Sequence, residues 1–150
     1  MVELEDLYQQ LILDHNRQPR NRRRLEAADR TARGYNPLCG DRVTVFLRLR
    51  DDVVDDISFE GSGCAISTAS ASMMTESLKG KTLDEARALF RRFHDLLTGE
   101  GTEARNGSAL GKLEVFSNVC RYPARVKCAT LAWHTVCAAL DGRPEEVTTE

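Results

Sequence analysis

The sequence contains no Cys-x-x-Cys pair, and its five cysteines are odd in number and widely scattered. Such usage does not read as a disulfide framework; in a reducing compartment these are thiols, metal ligands or nucleophiles. No apolar run approaches the ~18 residues a bilayer span requires, and MVELEDLYQQ is acidic and polar rather than basic then apolar. A cytoplasmic protein without a membrane partner is therefore expected. A formal net charge of -2 leaves no global field for nucleic acid or anionic lipid. The one basic cluster, Arg17, Arg20, Arg22, Arg23 and Arg24, lacks interleaved aromatics and is followed closely by acidic residues, so it is a solvated face or a docking surface rather than a nucleic-acid site. Neither H-E-x-x-H nor the H-x-E with P-C-x-x-C pattern occurs, which argues against a zinc hydrolase or deaminase. Internal repeats and low-complexity segments are also missing.

What is present suits a single domain over residues 1–150: at 41% hydrophobic, the chain can bury one ordinary core. Leu4, Leu7, Leu11 and Ile12 recur at helical spacing and predict a helix over 3–14. Val43, Val45, Leu47 and Leu49 alternate, Asp51 and Asp52 signal a turn, and Ile57 and Phe59 resume the alternation, which predicts a β-hairpin with Cys39 and Asp41 in the loop before it. The stretch GSGCAISTASASMMTESLKG passes from glycines into small residues and predicts a tightly packed helix beginning near Cys64. Thr82 and Glu85 form a capping box ahead of Leu83, Ala86, Leu89, Phe90, Phe93 and Leu97, with Gly99 as a stop. A polar glycine-rich loop over 100–109, a short helix from Leu110 ended by Tyr122-Pro123, and a last helix from Ala124 to Leu140 capped by Gly142 complete the chain. Residues 141–150 read as a frayed tail. Helix, strands, then helices make an α+β fold, a small antiparallel sheet of about three strands packed against several helices.

Chemistry concentrates at element boundaries. Cys39 lies ahead of the hairpin, Cys64 at a helix start, and Cys128 in the first turns of the last helix, while Gly40 allows the side chains of Cys39 and Asp41 to converge on one ion. Three sulfurs and a carboxylate oxygen satisfy a tetrahedral zinc ion. Arg125, one turn before Cys128, is placed to offset the negative charge of such a site. Cys137 falls on the opposite face of the helix from Cys128 and reads as a packing residue. Cys120 reads as packing or as an auxiliary sulfur. His15, His94 and His134 read as structural or solvated.

Four segments together, LYQQLILDHNRQPRN, NPLCGD, SGCAISTASASMM and RVKCATLAW, resemble the SufU family, the zinc-containing branch of the IscU-like iron–sulfur assembly proteins. The resemblance covers most of residues 4–134 in order. It implies an IscU/SufU-like fold, Cys39, Asp41, Cys64 and Cys128 as zinc ligands, and a pyridoxal phosphate-dependent cysteine desulfurase of the SufS type as the donor of persulfide sulfur. It also implies that a histidine of the desulfurase displaces Cys39 from zinc, that the freed thiolate takes the sulfur, and that downstream iron–sulfur scaffold proteins receive it. The alternative is a scaffold that builds an iron–sulfur cluster on the same cysteines, with iron in place of zinc. Lys127 stands where the IscU branch carries a histidine, RYPARVKC replaces its Leu-Pro-Pro-Val-Lys segment, and the interval from Cys64 to Cys128 is long, as in SufU.

Overall fold

The computed structural model describes residues 4–98, 111–142 and 146–148, with the side chains of 4–8, 111, 118, 120 and 121 outside the description. The expected Gly99 stop and the loop over 100–109 lie outside the described residues.

Three antiparallel strands form the expected heart of the sheet, β1 (Arg30–Asn36), β2 (Asp41–Arg50) and β3 (Val53–Ser62). Asp51 and Asp52 both adopt positive φ, 51° and 65°, the conformation that a two-residue hairpin turn demands. Within the stretch 141–150, expected to fray, Val147–Thr148 form a short strand, β4, that pairs in parallel with Gly34 and Tyr35 of β1. The sheet is thus mixed and four-stranded, in the order β3-β2-β1-β4.

Helix α1 (Leu4–Arg17) runs on through Asn16 and Arg17, beyond the expected 14, and stops short of Pro19, whose ring excludes continuation. Segment 18–25 then covers the free edge of β3. Arg22 bridges to Phe59, the Phe59 N–H donates to the Asn21 carbonyl at 3.0 Å, and the Arg22 guanidinium donates to the Gly61 carbonyl at 2.7 Å. Arg20 pairs with Asp14 at 2.7 Å and Arg23 with Asp56 at 2.9 Å. Much of the basic cluster is therefore engaged in the fold itself.

Helix α2 (Ala65–Leu78) is central, with Ser67, Ala69, Ser70, Ala71, Ser72, Met73 and Met74 in a buried row. Small side chains let α4 (Pro123–Leu140) lie close against it: the Ser70 hydroxyl donates to the Ala129 carbonyl and accepts from Trp133 Nε1 at 3.1 Å. Trp133 in turn stacks on Phe93 of α3 (Leu83–Thr98), with ring centroids 4.6 Å apart. The capping box closes as read, Thr82 N–H to Glu85 at 2.9 Å and Glu85 N–H to Thr82 at 3.1 Å. A 3₁₀-helical segment, Gly111–Arg121, packs Phe116 edge-on against Phe93. Pro123 occupies the first turn of α4, where its missing N–H costs no hydrogen bond, and Gly142 follows the helix with φ +69°. No helix among the described residues is long and apolar enough to cross a membrane.

Candidate metal centre

The inward rows of the sheet are apolar until they reach one end. On β1 the row is Ala32, Gly34, Asn36; on β2 it is Asp41, Val43, Val45, Leu47. The register sets Asn36 directly opposite Asp41, and neither exposes any surface. Two buried polar side chains at the tip of a hydrophobic face need partners, and their partners are the cysteines.

Between them, residues 37–40 form a tight turn, closed by the Gly40 N–H donating to the Asn36 carbonyl at 2.8 Å, with Gly40 at φ +73°. Only a residue without a Cβ takes that φ freely. Cys39, exposed on this turn, is carried inward far enough that its Sγ lies 3.4 Å from Cys128 Sγ. Cys128 is fully buried on α4, and Asn36 Nδ2 donates to its Sγ at 3.7 Å. Cys64 caps the N-terminus of α2, its Sγ accepting from the Ser67 N–H at 3.5 Å, and its own N–H donates to Asp41 Oδ1 at 2.9 Å. Gly63 makes room for that carboxylate, since a Cβ there would meet Asp41 Oδ1 at 2.5 Å.

The donor atoms of Cys39, Asp41 and Cys128 all lie within 4.8 Å of one another. Cys64 stands just outside this mutual set, with its Sγ 4.0 Å from Asp41 Oδ2. A tetrahedral zinc ion with sulfur and oxygen ligands needs neighbouring donors roughly 3.5–3.8 Å apart. The donors of Cys39, Asp41 and Cys128 are thus close enough together to hold one small cation, and all four described cysteines are free thiols.

Electrostatics point the same way. Burial pushes the Cys128 thiol far above its ordinary range, and hydrogen bonding with Asp41 and Cys39 and the proximity of Cys64 raise it further. Anionic donors crowded into a dry pocket cannot all ionise unless a cation joins them. The donor set fits a thiophilic divalent ion.

Of the residues expected from the sequence, Cys39, Asp41 and Cys128 come together in one cluster, and Cys64 lies beside it against Asp41. Arg125 lies in the first turn of α4 exposed to solvent, and its side chain makes no ion pair or hydrogen bond among the described residues. Cys137 is half-buried and nine positions along α4 from Cys128, as its phase on the helix requires. The side chain of Cys120 lies outside the described ones. Asn36 and Gly63 were not anticipated: a strand over 30–36 carries no hydrophobic alternation, so nothing marked Asn36 as inward-facing.

A small α+β domain whose sheet end and helices bring thiols and a buried carboxylate together in a cluster able to hold a metal ion is the class of protein that fold and site define. Comparison with known proteins gives the family: residues 7–129 match the NifU-like N terminal domain, and the chain belongs to that family. It is 43% identical over 130 residues to the zinc-dependent sulfurtransferase SufU of Bacillus subtilis (strain 168), covering 87% of this chain and 86% of that one. It is 36% identical over 140 residues to the iron–sulfur cluster assembly scaffold protein IscU of Streptococcus pyogenes serotype M1, covering 93% and 86%. Among solved structures, a candidate iron–sulfur cluster assembly scaffold protein for the SUF system from Fervidobacterium islandicum AW-1 superposes with a TM-score of 0.83 at 34% identity, over 92% of this chain and 99% of that one.

Proposed function

We propose that this protein is a zinc-dependent sulfur-transfer protein of iron–sulfur cluster biogenesis, which accepts persulfide sulfur on Cys39 from a SufS-type cysteine desulfurase in the cytoplasm and passes it to scaffold proteins. Cys39, Asp41, Cys64 and Cys128 are the zinc ligands in this reading. Bound zinc supplies a redox-inert charge that keeps several thiolates ionised side by side.

The observation that carries the reading is an asymmetry among the four donors. Cys64 Sγ accepts from the Ser67 N–H, Asp41 from the Cys64 N–H and Cys128 Sγ from Asn36, whereas Cys39 Sγ accepts no N–H among the described residues. It also sits on an exposed turn, the other three on a strand and at helices. The sulfur held least is the one a partner can reach. In the transfer, the Cys39 thiolate attacks the outer sulfur of the partner's persulfide; a new S–S bond forms on Cys39, the old one breaks, and the partner's cysteine leaves as a thiolate. No external oxidant or reductant is needed. Arg125, exposed one turn before Cys128, is proposed to contribute positive charge near the partner's approach rather than a bond to the ligands.

The test is the rate of alanine release from cysteine by a SufS-type desulfurase, with and without the zinc-loaded protein. Strong stimulation that disappears in Cys39→Ala is expected. Stimulation that survives in Cys39→Ala would remove Cys39 from the role. No stimulation, together with a cluster assembled on this chain from iron and sulfide and delivered to an apo-protein, would establish the scaffold reading instead.

A further inference from the structure

Asn36 touches two of the four donors' supports at once. Its Nδ2 donates to Cys128 Sγ at 3.7 Å, and its Oδ1 accepts the Leu38 N–H at 3.2 Å within the turn that carries Cys39. Its backbone carbonyl closes the same turn through Gly40 at 2.8 Å. The orientation of the carboxamide is fixed by this chemistry: turned over, Nδ2 would face the Leu38 N–H donor to donor, and Oδ1 would face an electron-rich sulfur.

The position is costly for a polar residue. Asn36 exposes no surface, and the other inward side chains of its strand are Ala32 and Gly34. A carboxamide left unpaired there would be destabilising, because it would lose its water partners without replacing them. Asn36 avoids this only by binding a sulfur with one end and the turn with the other.

We propose that Asn36 is a positioning residue that decides which sulfur the metal site keeps and which it releases. By donating to Cys128 Sγ it occupies a lone pair of that sulfur and lowers its nucleophilicity, so Cys128 stays as an anchor. By accepting the Leu38 N–H it sets the turn so that Cys39 reaches the site from a main chain it holds, while the Cys39 sulfur itself accepts no N–H among the described residues and meets only the Cys128 sulfur at 3.4 Å. The inference rests on the reading of these four residues as metal ligands and of Cys39 as the one that leaves.

The experiment compares zinc-loaded wild type, Asn36→Ala and the near-isosteric Asn36→Asp, with iodoacetamide labelling of each cysteine followed by peptide mass spectrometry. Zinc competition against a chromophoric chelator and amide exchange at Leu38 are measured on the same samples. In wild type, Cys39 should label well ahead of Cys128. Both variants lose the donor to sulfur, so the preference for Cys39 over Cys128 should fall about tenfold, and in Asn36→Ala zinc affinity should fall about 10- to 100-fold. Leu38 exchange should quicken in Asn36→Ala and stay slow in Asn36→Asp, which keeps the acceptor. If Asn36→Ala does not fold, the labelling of Asn36→Asp decides. Unchanged labelling order in the folded variants would overturn the role of Asn36 while leaving Cys39 as the released ligand; a wild type in which Cys39 is no more reactive than Cys128 would overturn the reading beneath it.

Discussion

At the scale of single residues, the site depends on space as much as on donors. Asp41 is buried with its Oδ1 on the Cys64 N–H at 2.9 Å, and the contact exists because Gly63 has no side chain. A methyl group there would come within 2.5 Å of Oδ1 and 3.0 Å of the carboxyl carbon. A short buried aspartate has few rotamers to retreat into, so Gly63→Ala should turn the carboxylate off its donor and away from the sulfurs. We expect zinc affinity to fall at least about tenfold, in the range seen when the supports of metal ligands are altered. Chelator competition on purified protein measures this, and an affinity equal to wild type would show that the carboxylate does not need the gap. The glycine gives no such warning in the sequence, where GSGC reads only as a loop before a helix.

At the scale of elements, α1 and the segment behind it are tied to α2 by a row of polar contacts. His15 is 1% exposed, with Nδ1 2.7 Å from Ser72 Oγ; that hydroxyl also accepts the Arg20 N–H at 2.8 Å, and Asn21 Nδ2 donates to Thr75 Oγ1 at 3.0 Å. The other ring nitrogen, Nε2, faces the Glu76 carboxylate at 3.5 Å. Burial holds the His15 pKa below 6.5, with Arg20 and Lys112 adding to the effect and Glu76 and Asp14 opposing it. The unfolded chain therefore binds a proton more readily than the fold, so the stability from neutral His15 is full above 6.5 and drains as pH falls below it, by at most about 1.4 kcal/mol per pH unit. Urea midpoints at pH 7.5 and 5.5 should drop in wild type and drop less in His15→Gln; equal drops would exclude His15 as the titrating group. The sequence showed the helices and the β2–β3 hairpin because their apolar residues keep the period of 3.6 or 2. It hid β1, whose inward residues are Ala32, Gly34 and Asn36: Gly34 is there because a Cβ would strike Thr135 of α4, so close packing removed the signal that marks a strand. It hid β4 as well, since two residues carry no period. The clustering of Cys39, Asp41 and Cys128 was nevertheless legible, because the motifs that carry them are local even though the cluster is not.

At the scale of the whole molecule, the four proposed ligands come from the β1–β2 turn, the first residue of β2, the cap of α2 and the second turn of α4. Three segments far apart in the chain must meet for the site to exist, and an unfolded chain holds no such site. An ion that binds the fold and not the unfolded chain stabilises it in proportion to the logarithm of its saturation. Free zinc at a thousand times its dissociation constant would add about 4 kcal/mol. For a domain of this length each kcal/mol shifts the midpoint by about 2–4 °C, so stripping the metal should lower it by about 8–16 °C. Calorimetry with zinc and with excess EDTA measures the shift, and Asp41→Ala separates site binding from loose surface binding, because it removes one donor and leaves every acidic group elsewhere. Most of the shift should vanish in that variant. An undiminished shift would mean that the stabilising ion sits somewhere other than between Cys39, Asp41, Cys64 and Cys128, and the sulfur-transfer reading would lose the site on which it depends.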